Sequence, residues 1–392
     1  MRFVAKEFRL NKEIKTTSLY IHVPFCLKKC PYCDFFSIPI ENQDISGYVD
    51  LLLRHLELLL EQPDKPQQLE SIFFGGGTPS LLPVADVGRI LEQAEKLFGL
   101  TADVEISLEA NPGTISEESL IGFKKAGINR LSLGLQSLCA KNLHRLGRQH
   151  DAEAAHAAIR HARQAGFTNL SCDLMFALPD QSIDGLKSDL QGVLDYQPEH
   201  LAIYGLTVEP GTPFLNLHEQ GALNLPDEDL YVAGYYFLHE QLAATGYDHY
   251  EISNFARPGF ACRHNQRYWT RQSNLAIGAG AHSLQTTGWG ERWAVPDSLD
   301  GYQADLQAGN DPARQLEIFD RATAMAETLY LGFRTSAGVN GLEFKSRFGV
   351  DIADSWPDAI RRCGDKLSYD GQFWRLNLDG WLLFNSLLSP FL

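Results

Sequence analysis

The sequence contains no long apolar run. None of its 392 residues sits in a stretch approaching the roughly 18 apolar residues of a membrane span. The opening MRFVAKEFRLNKEIKTT has no apolar centre of the kind a secretory signal carries. A soluble, cytoplasmic protein without a transmembrane segment is expected, with peripheral membrane contact left open. Basic charge is also short, since 34 Lys and Arg stand against 49 Asp and Glu for a formal net charge of -15. Gripping nucleic acid regardless of sequence needs a basic face that displaces counterions, so no nucleic-acid partner is expected. A disulfide framework is missing too. Of seven cysteines, an odd number, Cys139, Cys172, Cys262 and Cys363 stand singly, the pattern of buried thiols in a reducing compartment. The polar bias of a disordered chain is absent at 44% hydrophobic and 21% charged, so the chain is expected to fold throughout.

What is present is an alternation of strand and helix patterns. SLYIHV (18–23), SIFF (71–74), VEISLEA (104–110), RLSLGLQS (130–137), NLSCDLMF (169–176) and LAIYGLT (201–207) read as buried parallel strands. Between them lie amphipathic stretches with apolar residues at i, i+3, i+4, two of which end at Ala-Gly, where a helix cap is expected. Six β/α units in a row imply an α/β protein with a partial or full (β/α) barrel and its site at the C-terminal strand ends. Periodicity alone leaves an open doubly wound sheet as the alternative. After Thr207 the regularity fails, and VEPGTPF and residues 258–290 read as long functional loops around a helix at about 227–245. The expected division is a short extension (1–17), a barrel unit (18–310) and a small, mainly helical, winged-helix-like unit (311–392). Its wing is a hairpin of FWRLNLDG and WLLFNSLL.

Cys26, Cys30 and Cys33 form C-x3-C-x2-C directly after the first predicted strand. Thiolates at this spacing select zinc or an iron-sulfur cluster. A structural zinc site wants four protein ligands, and the only nearby candidate, His22, points away from the loop if the strand is regular. A cluster held by three cysteines instead keeps one iron open for a ligand. The stretch Y-I-H-V-P-F-C-x3-C-x-Y-C resembles the signature of the radical S-adenosylmethionine (SAM) enzymes, in the branch related to anaerobic coproporphyrinogen oxidase. The resemblance implies a [4Fe-4S] cluster whose open iron chelates SAM.

Other strand ends carry polar groups with no packing reason to be there. Gly75, Gly76 and Gly77 precede Thr78 and Pro79, and without a following G-K-[ST] they are not a Walker phosphate loop. Glu109 and Gln136 sit at the tips of the third and fourth strands. By resemblance Gly76, Gly77 and Thr78 bind the SAM amino group, Glu109, Gln136, Arg148 and Asp173 are further SAM contacts, and Tyr20 and Tyr32 stand beside the cluster. The resemblance spans the chain and favours the barrel over the open sheet.

Two departures from the oxidase pattern resemble the branch's heme chaperones. Phe35 stands where the oxidase has a further cysteine, and only Met1 to Ser18 precede the motif. His264, Asn265, Tyr268 and Trp269 spell H-N-x-x-Y-W, which in that branch implies heme binding. The residues alone allow heme ligation by His264, or by Cys262, and equally a structural role in which His264 and Asn265 fix a loop over the barrel mouth. The implied function is transfer of heme to acceptor apoproteins such as respiratory cytochromes, with an electron donor as a further partner. The alternatives are an oxygen-independent coproporphyrinogen dehydrogenase and a zinc-stabilised binding protein.

Overall fold

A computed structural model describes residues 15–61 and 68–392, so residues 1–14 of the expected N-terminal extension lie outside the described residues. Six parallel strands follow one another in chain order: β1 (Thr16–Val23), β2 (Gln68–Gly76), β3 (Leu100–Ala110), β4 (Arg130–Gln136), β5 (Leu170–Phe176) and β6 (His200–Gly205). Between them run α1 (Ile45–Leu58), α2 (Val84–Phe98), α3 (Glu117–Ala126), α4 (Ala140–Arg145), α5 (Ala152–Gln164) and α6 (Ile183–Leu194). Side-chain caps begin several of these helices. Asp44, Asp151 and Ser182 accept backbone N–H groups of α1, α5 and α6, and Ser116 forms a capping box with Ser119 on α3. The predicted Ala-Gly stop of α3 is realised by Gly127 at φ 119°, where an L side chain would be strained.

The strands alternate in character. Leu131, Leu133 and Leu135 of β4 are fully buried in the apolar core, as are Leu19, Ile21 and Val23 of β1 and Leu170, Cys172 and Leu174 of β5. Their neighbours in sequence, which point to the opposite face, are Ser132, Gly134 and Gln136, Tyr20 and His22, and Ser171, Asp173 and Met175. One face of the sheet therefore rests on the helices, and the other forms a polar interior. Each large aliphatic side chain on the helix-covered face contributes about 1.5–3 kcal/mol of hydrophobic stabilisation, which holds the polar interior in place.

The sheet continues beyond six strands. After α7 (Pro213–Glu219) and α8 (Glu228–Ala244), the latter the helix expected at about 227–245, come β7 (Asp248–Glu251), β8 (Asn254–Ala256) and α9 (Arg263–Trp269). Then follow β9 (Asn274–Ile277), β10 (His282–Gln285), β11 (Glu291–Ala294) and β12 (Arg314–Ile318). The sheet order is β12-β11-β10-β9-β1-β2-β3-β4-β5-β6-β8-β7, with β9 parallel to β1 and the other added strands antiparallel to their neighbours. β12 and β7 are its two edges, so the barrel is partial and carries additional strands. Residues 258–290, expected as loops, thus contain α9, β9 and β10. These strands have four residues each, too few to show a period; β9 pairs with β1, and β10 with β9.

Between β11 and β12 lies α10 (Leu299–Gln307), and the C-terminal part holds α11 (Arg321–Gly332) and α12 (Gly341–Phe348), with β12 still paired to the main sheet. Its wing has three short strands, Val339–Asn340, Phe373–Leu376 and Leu367–Tyr369. WLLFNSLL does not form the second strand of a hairpin. Asn377 accepts the N–H of Gly380 and starts a helix, and Trp381, Phe384 and Leu388 bury themselves at helical spacing.

Candidate cofactor site at the barrel mouth

The cysteine loop leaves β1 at its C-terminal end and is closed at its base by a short parallel bridge between Phe25–Cys26 and Ile38–Pro39. Within it, the Cys33 N–H donates to the Cys30 carbonyl (3.1 Å), and Lys29 Nζ donates to the Phe35 carbonyl (3.0 Å). His22 does not point away from this loop as expected of a regular strand. Its Nε2 lies 2.9 Å from the Phe36 carbonyl, so the imidazole pins the loop's return. Among the described residues, no three His, Cys, Asp or Glu side chains converge as a single metal ion would require. Three thiols set around a larger cluster need no such convergence.

The thiols border a cavity of about 430 Å³. It is lined by Cys26, Cys30, Tyr32 and Cys33, by Gly76, Gly77 and Thr78, and by Glu109, Gln136, Arg148 and Asp173, so eleven expected residues from six chain segments meet there. Tyr20 does not line it. Its hydroxyl is 3.1 Å from His22 Nδ1 and its ring stacks on Phe73, deeper in the barrel.

Close approach explains the glycines. Gly76 has φ 113°, and a Cβ there would lie 2.7 Å from the His22 ring. A Cβ on Gly77 would lie 3.0 Å from Cys26 Sγ. Thr78 Oγ1 is 3.6 Å from the same sulfur. Arg148 reaches across the cavity, with Nη1 3.7 Å from Cys30 Sγ and Nη2 donating to the Gly134 carbonyl (2.6 Å), while its buried Nε has no partner. Gln136 holds φ 66° at the tip of β4, an outlier for a residue with a side chain.

Two carboxylates set the electrostatics. Burial, with Asp173 nearby, pushes Glu109 up to about 8, partly offset by the Gly76 N–H that donates to it at 3.2 Å. Burial also raises Asp173 to about 6, held from going higher by Ser132 and Ser171 hydroxyls at 3.0 and 3.1 Å. Such a pair favours a bound cation. Ser132, Asn111, Tyr204 and Glu209 also line the cavity and were not among the expected residues. Ser132 was readable, because it shares the period-two face of β4 with Gln136. Glu209 lies in VEPGTPF, expected as a functional loop, whereas Tyr204 lies near the end of β6, where no motif marks it.

The H-N-x-x-Y-W segment lies elsewhere. It forms α9, and none of His264, Asn265, Tyr268 or Trp269 lines the cavity. Glu105 of β3 accepts the N–H groups of Arg263 and His264, both at 3.1 Å, and so caps this helix from inside the barrel. His264 is 1% exposed, with Nδ1 3.0 Å from Ser71 Oγ and Nε2 2.9 Å from the Tyr268 hydroxyl. Burial, with Arg267 and Arg130 nearby, lowers it to about 3, so the ring is neutral. The segment is thus neither a loop nor over the barrel mouth. In this arrangement neither nitrogen is offered to a heme iron.

Comparison with known proteins fits this geometry. A profile of the Radical SAM superfamily matches residues 20–191, and one of the HemN C-terminal domain matches residues 319–383. The heme chaperone HemW of Escherichia coli (strain K12) is 34% identical over 96% of this chain and 98% of its own length. The chain belongs to the HemW family. The HemW proteins of Lactococcus lactis subsp. lactis (strain IL1403) and Haemophilus influenzae are 32% and 37% identical, covering 96% and 86% of this chain and 98% and 93% of their own. In fold, coproporphyrinogen III oxidase (HemN) from Escherichia coli matches with a TM-score of 0.82, 22% identity, and coverage of 96% of this chain and 90% of that one.

The superfamily implies a [4Fe-4S] cluster and SAM, and the residues at the mouth fit both. Three cysteines leave a fourth cluster position without a protein ligand. The two raised carboxylates suit the ammonium and sulfonium charges of SAM, and the orphaned Nε of Arg148 suits an acceptor.

Proposed function

We propose that this chain is a heme chaperone that binds a [4Fe-4S] cluster, SAM and heme, and passes heme to acceptor apoproteins such as respiratory cytochromes. The observation that carries this reading is the near full-length match to proteins called heme chaperone HemW. Phe35 supports it, standing 66% exposed on the cavity rim where the oxidase pattern has a cysteine.

In this reading Cys26, Cys30 and Cys33 hold the cluster, and a bound cluster supplies an open iron and an electron for the SAM sulfonium. Gly76, Gly77 and Thr78 line the ligand's path with backbone groups. Glu109 and Asp173 hold its positive charge, Gln136 and Arg148 orient it, and Tyr32 closes the loop side by packing on Phe214. The chain's own part is binding and orientation. Heme is cargo, and its contact with His264, Asn265, Tyr268 and Trp269 requires an opened form of α9 in which Tyr268 or Ser71 releases the His264 ring.

A second reading, an oxygen-independent coproporphyrinogen dehydrogenase, draws on the fold shared with HemN. Anaerobic protein with a reconstituted cluster, SAM and a reductant separates the two. The chaperone reading expects no conversion of coproporphyrinogen to protoporphyrinogen, and conversion at enzymatic rates would overturn it.

A further inference from the structure

A second cavity, of about 460 Å³, is bordered by the first residues of β1, by α9 and the turn after it, and by α12. It shares no lining residue with the mouth cavity. Lys15, Arg267, Arg271 and Arg347 line it, together with hydroxyl and amide side chains, and among the described residues no Asp or Glu does. This basic concentration is unexpected in a chain whose net charge is -15.

Among the described residues, two of the guanidiniums keep donors without a partner. Arg271 is 1% exposed and sits at φ 52°, a conformation costly for a residue with a side chain. Its Nε donates to Glu327 and its Nη2 to the Trp289 carbonyl (2.8 Å), while its buried Nη1 has no partner. Arg267, 7% exposed, donates to Glu70 and to the Thr16 and Ser273 carbonyls, and its buried Nε has no partner. Arg347 forms no ion pair among the described residues, and burial and the Arg271 charge both act against its cation. Glu70 and Glu327 are the opposing carboxylates. Glu70 is taken up by Arg267, and Glu327 is shared by Arg271 and Arg292. Guanidiniums grouped around a cavity are the usual partners of an oxyanion, which they hold by charge-assisted hydrogen bonds.

We propose that this cavity is an oxyanion-binding site, separate from the cluster site, that takes a phosphate or carboxylate group between Arg271, Arg267 and Arg347. The proposal stands on this geometry and is independent of the heme reading. Isothermal titration of the full chain at low ionic strength, with inorganic phosphate and separately with succinate, tests it and tells the two sources apart. Saturable binding of either one is expected, weakened about tenfold or more in Arg347→Ala, a substitution at an exposed residue, and likewise in Arg271→Lys. Circular dichroism and the thermal midpoint establish that both variants are folded. Absence of saturable binding of both anions up to about 10 mM, or unchanged affinity in folded Arg347→Ala, would overturn the site.

Discussion

His264 Nε2 lies 2.9 Å from the Tyr268 hydroxyl one helical turn away, inside a barrel that leaves the imidazole 1% exposed. The same ring holds Ser71 through its other nitrogen, so it ties α9 to β2. Removing it strands two buried hydroxyls.

His264→Ala should therefore lower the stability of the heme-free protein by about 2–4 kcal/mol, the sum of two buried hydrogen bonds and lost ring packing. Denaturant midpoints measure this. A variant that keeps wild-type stability while losing heme would show that the ring serves the cargo and not the barrel.

Replacing Cys30 with Ala should abolish the stable cluster and leave the fold intact, because the thiol belongs to a loop outside the apolar core. Iron and sulfide content after anaerobic reconstitution, read beside circular dichroism, checks both halves. A full [4Fe-4S] signal in the variant would refute the assignment.

The Glu109 carboxyl, raised to about 8, gives the ligand-free protein a defined pH dependence. Its folded pKa exceeds its unfolded one, so its contribution to stability is complete below the unfolded value near 4.5 and is lost as pH rises through about 8. Binding of a cation favours the ionised form, so SAM affinity should rise between pH 6 and 8 with release of a proton. Titration calorimetry in buffers of different ionisation enthalpy reads that proton. Glu109→Gln should remove the part of the proton release that titrates near pH 8, leaving that of Asp173 near 6, and weaken SAM binding by about tenfold to a hundredfold.

Arg334 couples the C-terminal part to the barrel. Its guanidinium lies 4.6 Å from the Trp269 ring and 3.6 Å from the fully buried Glu251 carboxylate. Arg334→Ala leaves that charge unpaired and should cost about 3–5 kcal/mol, seen as a lower thermal midpoint. Arg334→Lys, which keeps the charge, should recover part of it.

Much of this was legible in the sequence, for physical reasons. The six parallel strands and their helices declared themselves through apolar runs, amphipathic spacing and caps. Glu109 and Gln136 sit at strand ends, where polar side chains need a reason, whereas Asp173 lies mid-strand and Arg148 between α4 and α5. A finer signal lay in RLSLGLQ, whose strict alternation shows a polar interior on one face and places Ser132 beside Asp173. The added strands β9 to β12 were not legible, since four or five residues carry no period and tertiary pairing decides them. The place of α9 was hidden as well. Its cap is Glu105, more than 150 residues earlier in the chain, and no local pattern announces a helix capped from so far away.

Heme transfer is the most direct test of the account. Anaerobically reconstituted protein is loaded with heme, freed of excess, and mixed with a heme-free respiratory cytochrome, and the visible spectrum of each is followed after separation. Stoichiometric heme on the donor and its appearance on the acceptor are expected, without decarboxylation of added coproporphyrinogen. A protein that holds no heme but converts coproporphyrinogen would contradict this.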